Sequence, residues 1–200
     1  MVKAKINLLM IVCALIIIVS TFFASWFAIH GDIVFHTDIA RDFLLMEDVV
    51  RVKPLTLIGP RSGGIPGVFH GPAWTYLNVP AFIIGNGSPA VVGWFWVSLY
   101  LIGVYIAFYV GKKMISDNVG WTAAAATSVM SAFSVPGFFN PYGAVMFAPL
   151  FLYLLFKYIK SSKLSDLLWC LLTLGAVIQF QMAFGVPILV LLLPLLIFII

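Results

Sequence analysis

INLLMIVCALIIIVSTFFASWFA, residues 6–28, holds no charged side chain. Wound as a helix, such a run covers the roughly 30 Å of bilayer hydrocarbon, which needs about 20 apolar residues. Lys3 and Lys5 precede it, and Trp26 and Phe27 crowd its end. The apolar stretch outlasts the roughly 7–15 residues of a cleavable signal peptide, so it reads as an uncleaved signal anchor.

Outward from this run the pattern repeats. Further apolar stretches cover 90–110 (closed by Gly111, Lys112 and Lys113), 119–135, 143–158 (with Lys157, Lys160 and Lys163 at its end), 167–180 and 185–200. The expected fold is an all-α integral membrane protein with about six transmembrane helices. Composition agrees: 63% of the residues are hydrophobic, 9% are charged, and mean hydropathy is +1.13. Soluble domains carry roughly 25% charged residues. The formal charge of +4 is scattered at helix ends, without a basic stripe, zinc-ligand spacing or stacking motif, so no nucleic-acid partner is expected. Cys13 and Cys170 lie within apolar runs and read as small buried hydrophobes.

Positive charge orients the chain. Short connections near Asn140 and Gln181 carry no Lys or Arg, whereas Lys3, Lys5, Lys112, Lys113, Lys157, Lys160 and Lys163 fall on the other side. By the positive-inside rule both termini face the cytoplasm, in a multi-pass protein of the cell (inner) membrane. The expected organisation is a first span in 1–29, an extracytoplasmic loop in 30–88, and about five further spans in 89–200. The chain stops inside an apolar run, and the expectation is a piece of a longer protein.

The loop breaks the pattern. It holds five of the seven acidic residues, Asp32, Asp38, Asp42, Glu47 and Asp48, and all three histidines, His30, His36 and His70. From 38 to 52 the periodicity is helical: Ile39, Phe43, Met46 and Val50 form an apolar stripe, and Asp38, Arg41 and Asp42 share another face. Such a helix lies along the membrane surface, with its carboxylates toward water or a cavity. Glu47 and Asp48 are spaced to pair with Arg51, at ~0.3–0.5 kcal/mol each. Lys53-Pro54 and Gly59-Pro60-Arg61-Ser62-Gly63-Gly64-Ile65-Pro66-Gly67 follow, a loop suited to shaping around a ligand. It lacks the GKS/T ending and following helix of a phosphate-binding P-loop. His70-Gly71-Pro72 introduces an aromatic-rich half-helix over 73–84. His36 and Asp38 have no third and fourth ligand at metal-site spacing, so neither metal nor cofactor is expected.

These elements, in this order, resemble a known group. Gly59-Pro60-Arg61 followed by Gly67-Val68-Phe69-His70-Gly71-Pro72-Ala73-Trp74-Thr75-Tyr76 is similar to the GP…G…hGP-x-x-Y segment of membrane glycosyltransferases. Phe138-Phe139-Asn140-Pro141 resembles their W/F-N-P corner, and Gln179-Phe180-Gln181 sits where relatives carry Q-x-H. The group is the GT-C fold, in the branch of lipid A galacturonosyltransferases, aminoarabinose transferases and protein O-mannosyltransferases. The resemblance covers essentially the whole chain and corresponds to the N-terminal part of such an enzyme.

It implies an inverting transfer of sugar from a polyprenyl-phosphate-linked donor to a hydroxyl of a lipid, glycan or protein acceptor on the extracytoplasmic side. Asp38 matches the acidic position of the first outer loop and takes the implied role of general base. Asp42, Lys53, Arg61 and His70 are the implied substrate-binding residues, with Lys53 or Arg61 beside the phosphate. Two positions depart from the pattern: Ile39 stands where many relatives have a second acid, and the histidine near Gln181 is absent. A non-catalytic transporter, flippase or lipid-binding membrane subunit is the alternative class. The near absence of charge in the later runs argues against an ion pathway.

Overall fold

The computed structural model describes residues 7–52, 55–63 and 66–199, and its described regular elements are all helical. In chain order these are α1 (Leu8–His30), α2 (Thr37–Arg51), α3 (Ala73–Ile84), α4 (Pro89–Met114), α5 (Asp117–Ala132), α6 (Asn140–Ser161), α7 (Leu164–Phe180) and α8 (Met182–Ile199). A 3₁₀ turn, Val135–Gly137, precedes α6. Among the described residues, three helices are long and apolar enough to cross a membrane: α1, α4 and α6. Shorter apolar helices cover Ala73–Ile84, Leu164–Phe180 and Met182–Pro194. That pattern is consistent with a multi-pass membrane protein. The run expected over 119–135 forms the 16-residue α5, which gives way at Phe133 to the turn containing Pro136.

Local chemistry sets the boundaries. Asn7 caps α1 by accepting the Met10 N–H at 2.9 Å, and Gly31, at φ +71°, turns the chain out of its far end. Ser116 caps α5, accepting the Val119 N–H. Pro89 and Pro141 stand in the first turns of α4 and α6, where no backbone N–H is needed.

Small residues let the helices meet. A Cβ on Gly120 of α5 would fall 2.7 Å from the Phe108 carbonyl of α4, and one on Gly111 would fall 3.0 Å from the Gly120 Cα. On the other flank of α4, Gly93 packs against Ala28 of α1. Lipid supplies little hydrophobic drive between spans, so such close van der Waals contact is what holds them. The bundle has two distinct ends. At one lie Asn7, the α4–α5 turn and the α6–α7 turn; the Asn7 amide donates to Asn118 Oδ1 at 3.1 Å. At the other lie the end of α1, the helices α2 and α3, the 135–140 corner and the α7–α8 break.

α2 and α3 close this second end over a core that includes Ile39, Met46, Trp74, Val92, Trp96, Phe138 and Phe180. A buried indole bond in this core is informative. Trp96 Nε1–H donates to Asn78 Oδ1 at 2.7 Å, and the Asn78 amide donates to the Trp74 carbonyl at 2.8 Å. Both polar groups are satisfied, so α3 is locked to α4 without leaving an orphan donor.

Candidate functional site

The site forms at the closed end, from α2 upward. His36 caps α2, its Nδ1 accepting the Asp38 N–H at 3.3 Å, and Val34 N–H donates to the Pro136 carbonyl at 2.9 Å. The helix start is thereby fixed to the 135–140 corner, and the His36 ring meets Phe139 edge-on.

Arg41 then joins two carboxylates. Its Nη1 donates to Asp38 Oδ1 at 2.6 Å, while Nε and Nη2 donate to Asp42 Oδ1 at 3.0 and 2.8 Å. The guanidinium fork is suited to this, holding both acids in fixed orientations. Their surroundings differ sharply. The Asp38 side chain is 42% exposed and that of Asp42 only 3%.

Here the sequence-level assignment of faces needs correction. Asp42 does not share the solvent side with Asp38; it lies on the buried stripe Ile39–Asp42–Met46–Val49, while Val50 is exposed. Steps of three, four and three follow the helical period as well as the stripe expected through Phe43 and Val50. The choice between them rests on where α3 and α4 sit. Burial pushes the Asp42 carboxyl up to about 6, against the opposing pull of Arg41 and with Asp38 adding to the rise. Asp42 Oδ2 is buried without a hydrogen-bond partner, as is Thr75 Oγ1 on α3.

The glycine-rich loop supplies His70. Gly59 N–H donates to the His70 carbonyl, His70 N–H to the Pro60 carbonyl, and Ser62 N–H to the Val68 carbonyl, at 3.0, 2.9 and 2.9 Å. This narrow ribbon packs closely: a Cβ on Gly59 would sit 2.1 Å from the Gly71 carbonyl oxygen. Tyr76 fastens the extended segment before it, accepting the Thr56 N–H and donating to the Thr56 carbonyl. His70 is buried, and its Nδ1 accepts the Met182 N–H at 3.4 Å. Burial, then the Arg41 charge, lower its basicity, and Asp38 partly restores it. Burial and the Arg41 charge both favour the neutral imidazole over the charged form.

Of the residues singled out in the sequence, Asp38, Asp42 and His70 come together here. Arg61 is exposed on the ribbon opposite Phe69. Lys53 lies outside the described residues. Among the described residues no group of three or more His, Cys, Asp or Glu side chains is placed to hold a metal ion.

Several participants were not singled out for the site. Arg41 reads in the sequence only as part of the Asp38–Arg41–Asp42 face, although its i, i+3 spacing from Asp38 carries the signal for its bridging position. Trp74, 1% exposed and edge-on to Phe180, lies in the aromatic-rich half-helix, and no local pattern marks it as buried. The Asn140 amide donates to the Phe180 carbonyl at 2.9 Å and to Gln181 Oε1 at 3.2 Å. A Cβ on Gly71 would fall 1.9 Å from Gln179 Oε1. The four motifs quoted from the sequence thus converge on one end of the bundle.

Behind Trp74 a cavity of about 130 Å³ runs between α4, α5 and α6, lined by Tyr100, Gly103, Thr127, Phe138 and Met146. Its wall is mainly apolar, and it extends along α4 and α6 to Ala107 and Pro149. The arrangement offers a half-exposed carboxylate pinned by a guanidinium, a buried imidazole within the influence of both charges, and an apolar cavity bordered by Trp74.

No protein-family model, curated protein or solved structure matches the chain. What the fold and the geometry define is an all-helical protein, consistent with multi-pass insertion, whose described polar cluster sits at one end of the bundle.

Proposed function

We propose that the chain carries the catalytic end of a membrane glycosyltransferase. It moves a sugar from a polyprenyl-phosphate-linked donor to an acceptor hydroxyl at the extracytoplasmic membrane face. The observation that carries this reading is the half-exposed Asp38 carboxylate, held by Arg41 at 2.6 Å, at the end of the bundle where Trp74 and Phe138 border an apolar cavity.

In this mechanism the acceptor oxygen attacks the anomeric carbon as Asp38 takes the hydroxyl proton. The bond between that carbon and the phosphate oxygen breaks, its electron pair leaves with polyprenyl phosphate, and configuration inverts. Arg41 keeps the Asp38 carboxylate aimed as the acceptor approaches. Arg61, on the exposed ribbon, meets the departing phosphate charge, with Lys53 as the second implied cation. His70 contributes a neutral hydrogen-bonding edge to the donor. The apolar cavity receives the first part of the lipid.

A lipid-binding or flipping role without chemistry draws on the same cavity, and one experiment separates the two. Wild-type protein and Asp38→Asn are reconstituted with polyprenyl-phosphate sugar, and both donor binding and transfer are measured. Transfer is expected to fall roughly 10²–10⁴-fold in the variant, the usual weight of a general base, with insertion and donor binding retained. Near-normal turnover removes Asp38 from the mechanism. Donor binding with no transfer in the wild type favours the non-catalytic class.

A further inference from the structure

The opposite end of the bundle has a different chemistry. Lys112 and Lys113 close α4, and Lys157, Lys160 and Lys163 close α6 and its turn into α7. Two carboxylates stand among them, and each is committed. Asp117 pairs with Lys112 at 3.2 Å. Asp166, only 4% exposed, accepts from Lys157 at 2.6 Å and from the Ser161 hydroxyl at 2.6 Å.

Lys113 and Lys160 have no carboxylate partner among the described residues. Each instead rests over an aromatic ring of its own helix, Lys113 at 5.7 Å from the Tyr109 centroid and Lys160 at 4.2 Å from that of Phe156. Stacking of this kind holds an ammonium group near the level of the ring, where the apolar surface meets water. The two helices meet at this level: Tyr109 and Tyr153 touch edge-on at 5.7 Å, and Tyr105 adjoins Tyr109 while remaining 63% exposed.

We propose that this end of α4 and α6 is a binding site for an anionic phospholipid headgroup. Lys113 and Lys160 provide the uncommitted charge, and the tyrosine pair forms the interfacial shelf between the two helices. The occupant follows from charge and position together. A soluble anion would gain nothing from aromatic side chains at the edge of the apolar surface, whereas a phosphodiester carrying acyl chains engages both. Basic sites between spanning helices at the membrane boundary bind acidic lipid headgroups in this way, at roughly 1 kcal/mol per cation. The inference does not depend on the catalytic reading.

The test uses the intact chain in detergent micelles, with native mass spectrometry counting retained lipid after addition of phosphatidylglycerol or phosphatidylcholine. Wild type is expected to retain phosphatidylglycerol preferentially. The double variant Lys113→Gln/Lys160→Gln should lose that preference by roughly tenfold or more, given about 1 kcal/mol for each cation. Arg51→Gln, which removes an exposed charge at the far end, should leave it unchanged. Circular dichroism checks that both variants keep the helical content of wild type. Equal retention by wild type and the double variant, or an equal loss in Arg51→Gln, overturns the proposal.

Discussion

At the scale of single residues, Asp38 and Asp42 show how one turn of helix separates two roles. Both bind the same guanidinium, yet one faces outward and the other is enclosed by Ile39, Met46 and the α3 side. The enclosed acid has a consequence for stability. Its folded-state carboxyl titrates near 6 instead of 3.8, so the folded state holds the proton more tightly than the unfolded state does. The stabilisation from that proton is fully present below about pH 3.8 and is lost as pH rises through about 6. A shift of this size corresponds to at most about 3 kcal/mol. The thermal midpoint of the solubilised protein should therefore rise between pH 7 and pH 5, and Asp42→Asn should remove much of that slope. Identical slopes in the two proteins would show that Asp42 does not titrate in this window.

At the scale of elements, α4 and α5 depend on the absence of side chains where they cross. Gly120→Val inserts atoms where even a Cβ would lie 2.7 Å from the Phe108 carbonyl, and backbone cannot step aside as a flexible side chain can. Overpacking of this kind costs roughly 1–3 kcal/mol. The expected outcome is a lower thermal midpoint for Gly120→Val. Gly175→Ala on α7, where a Cβ would meet nothing within 4 Å, should leave the midpoint unchanged or slightly raised. Equal behaviour of the two variants would mean that the α4–α5 contact does not bear on stability. The same reasoning explains why α3 stays in place with only 12 residues: Asn78 ties it to Trp96, and Trp74 packs on Phe180.

For the whole molecule, the arrangement makes a prediction about sidedness. Ser62 lies on the ribbon at the α2 end, and Ser162 lies in the turn between α6 and α7 at the lysine-rich end. Cysteine placed at each position in turn should react with a membrane-impermeant maleimide from opposite sides of a sealed vesicle. The native Cys13 and Cys170 are buried and should contribute little background. Labelling of both positions from one side contradicts an up-and-down bundle that crosses the membrane.

Much of this architecture was legible in the order of the residues. Apolar runs, lysines at their ends and proline at helix starts are local signals, so the courses of α1, α4 and α6 follow from composition within a window. The polar loop and its concentration of acids and histidines were equally plain. Depth within the bundle was not legible. The spacing of α2 accommodates two apolar stripes, and only contact with α3 and α4 selects the one that buries Asp42. Nothing near Trp74 in the chain marks it as packed on Phe180 and bordering the cavity. Likewise, His70 reaches Met182 across 112 positions, and Asn140 reaches Gln181 across 41. Helical period and hydropathy act over a few residues and so determine which segments are helices and which suit lipid. Burial, shared hydrogen bonds and the pairing of charges are properties of neighbours in space, and the tertiary structure alone decides them.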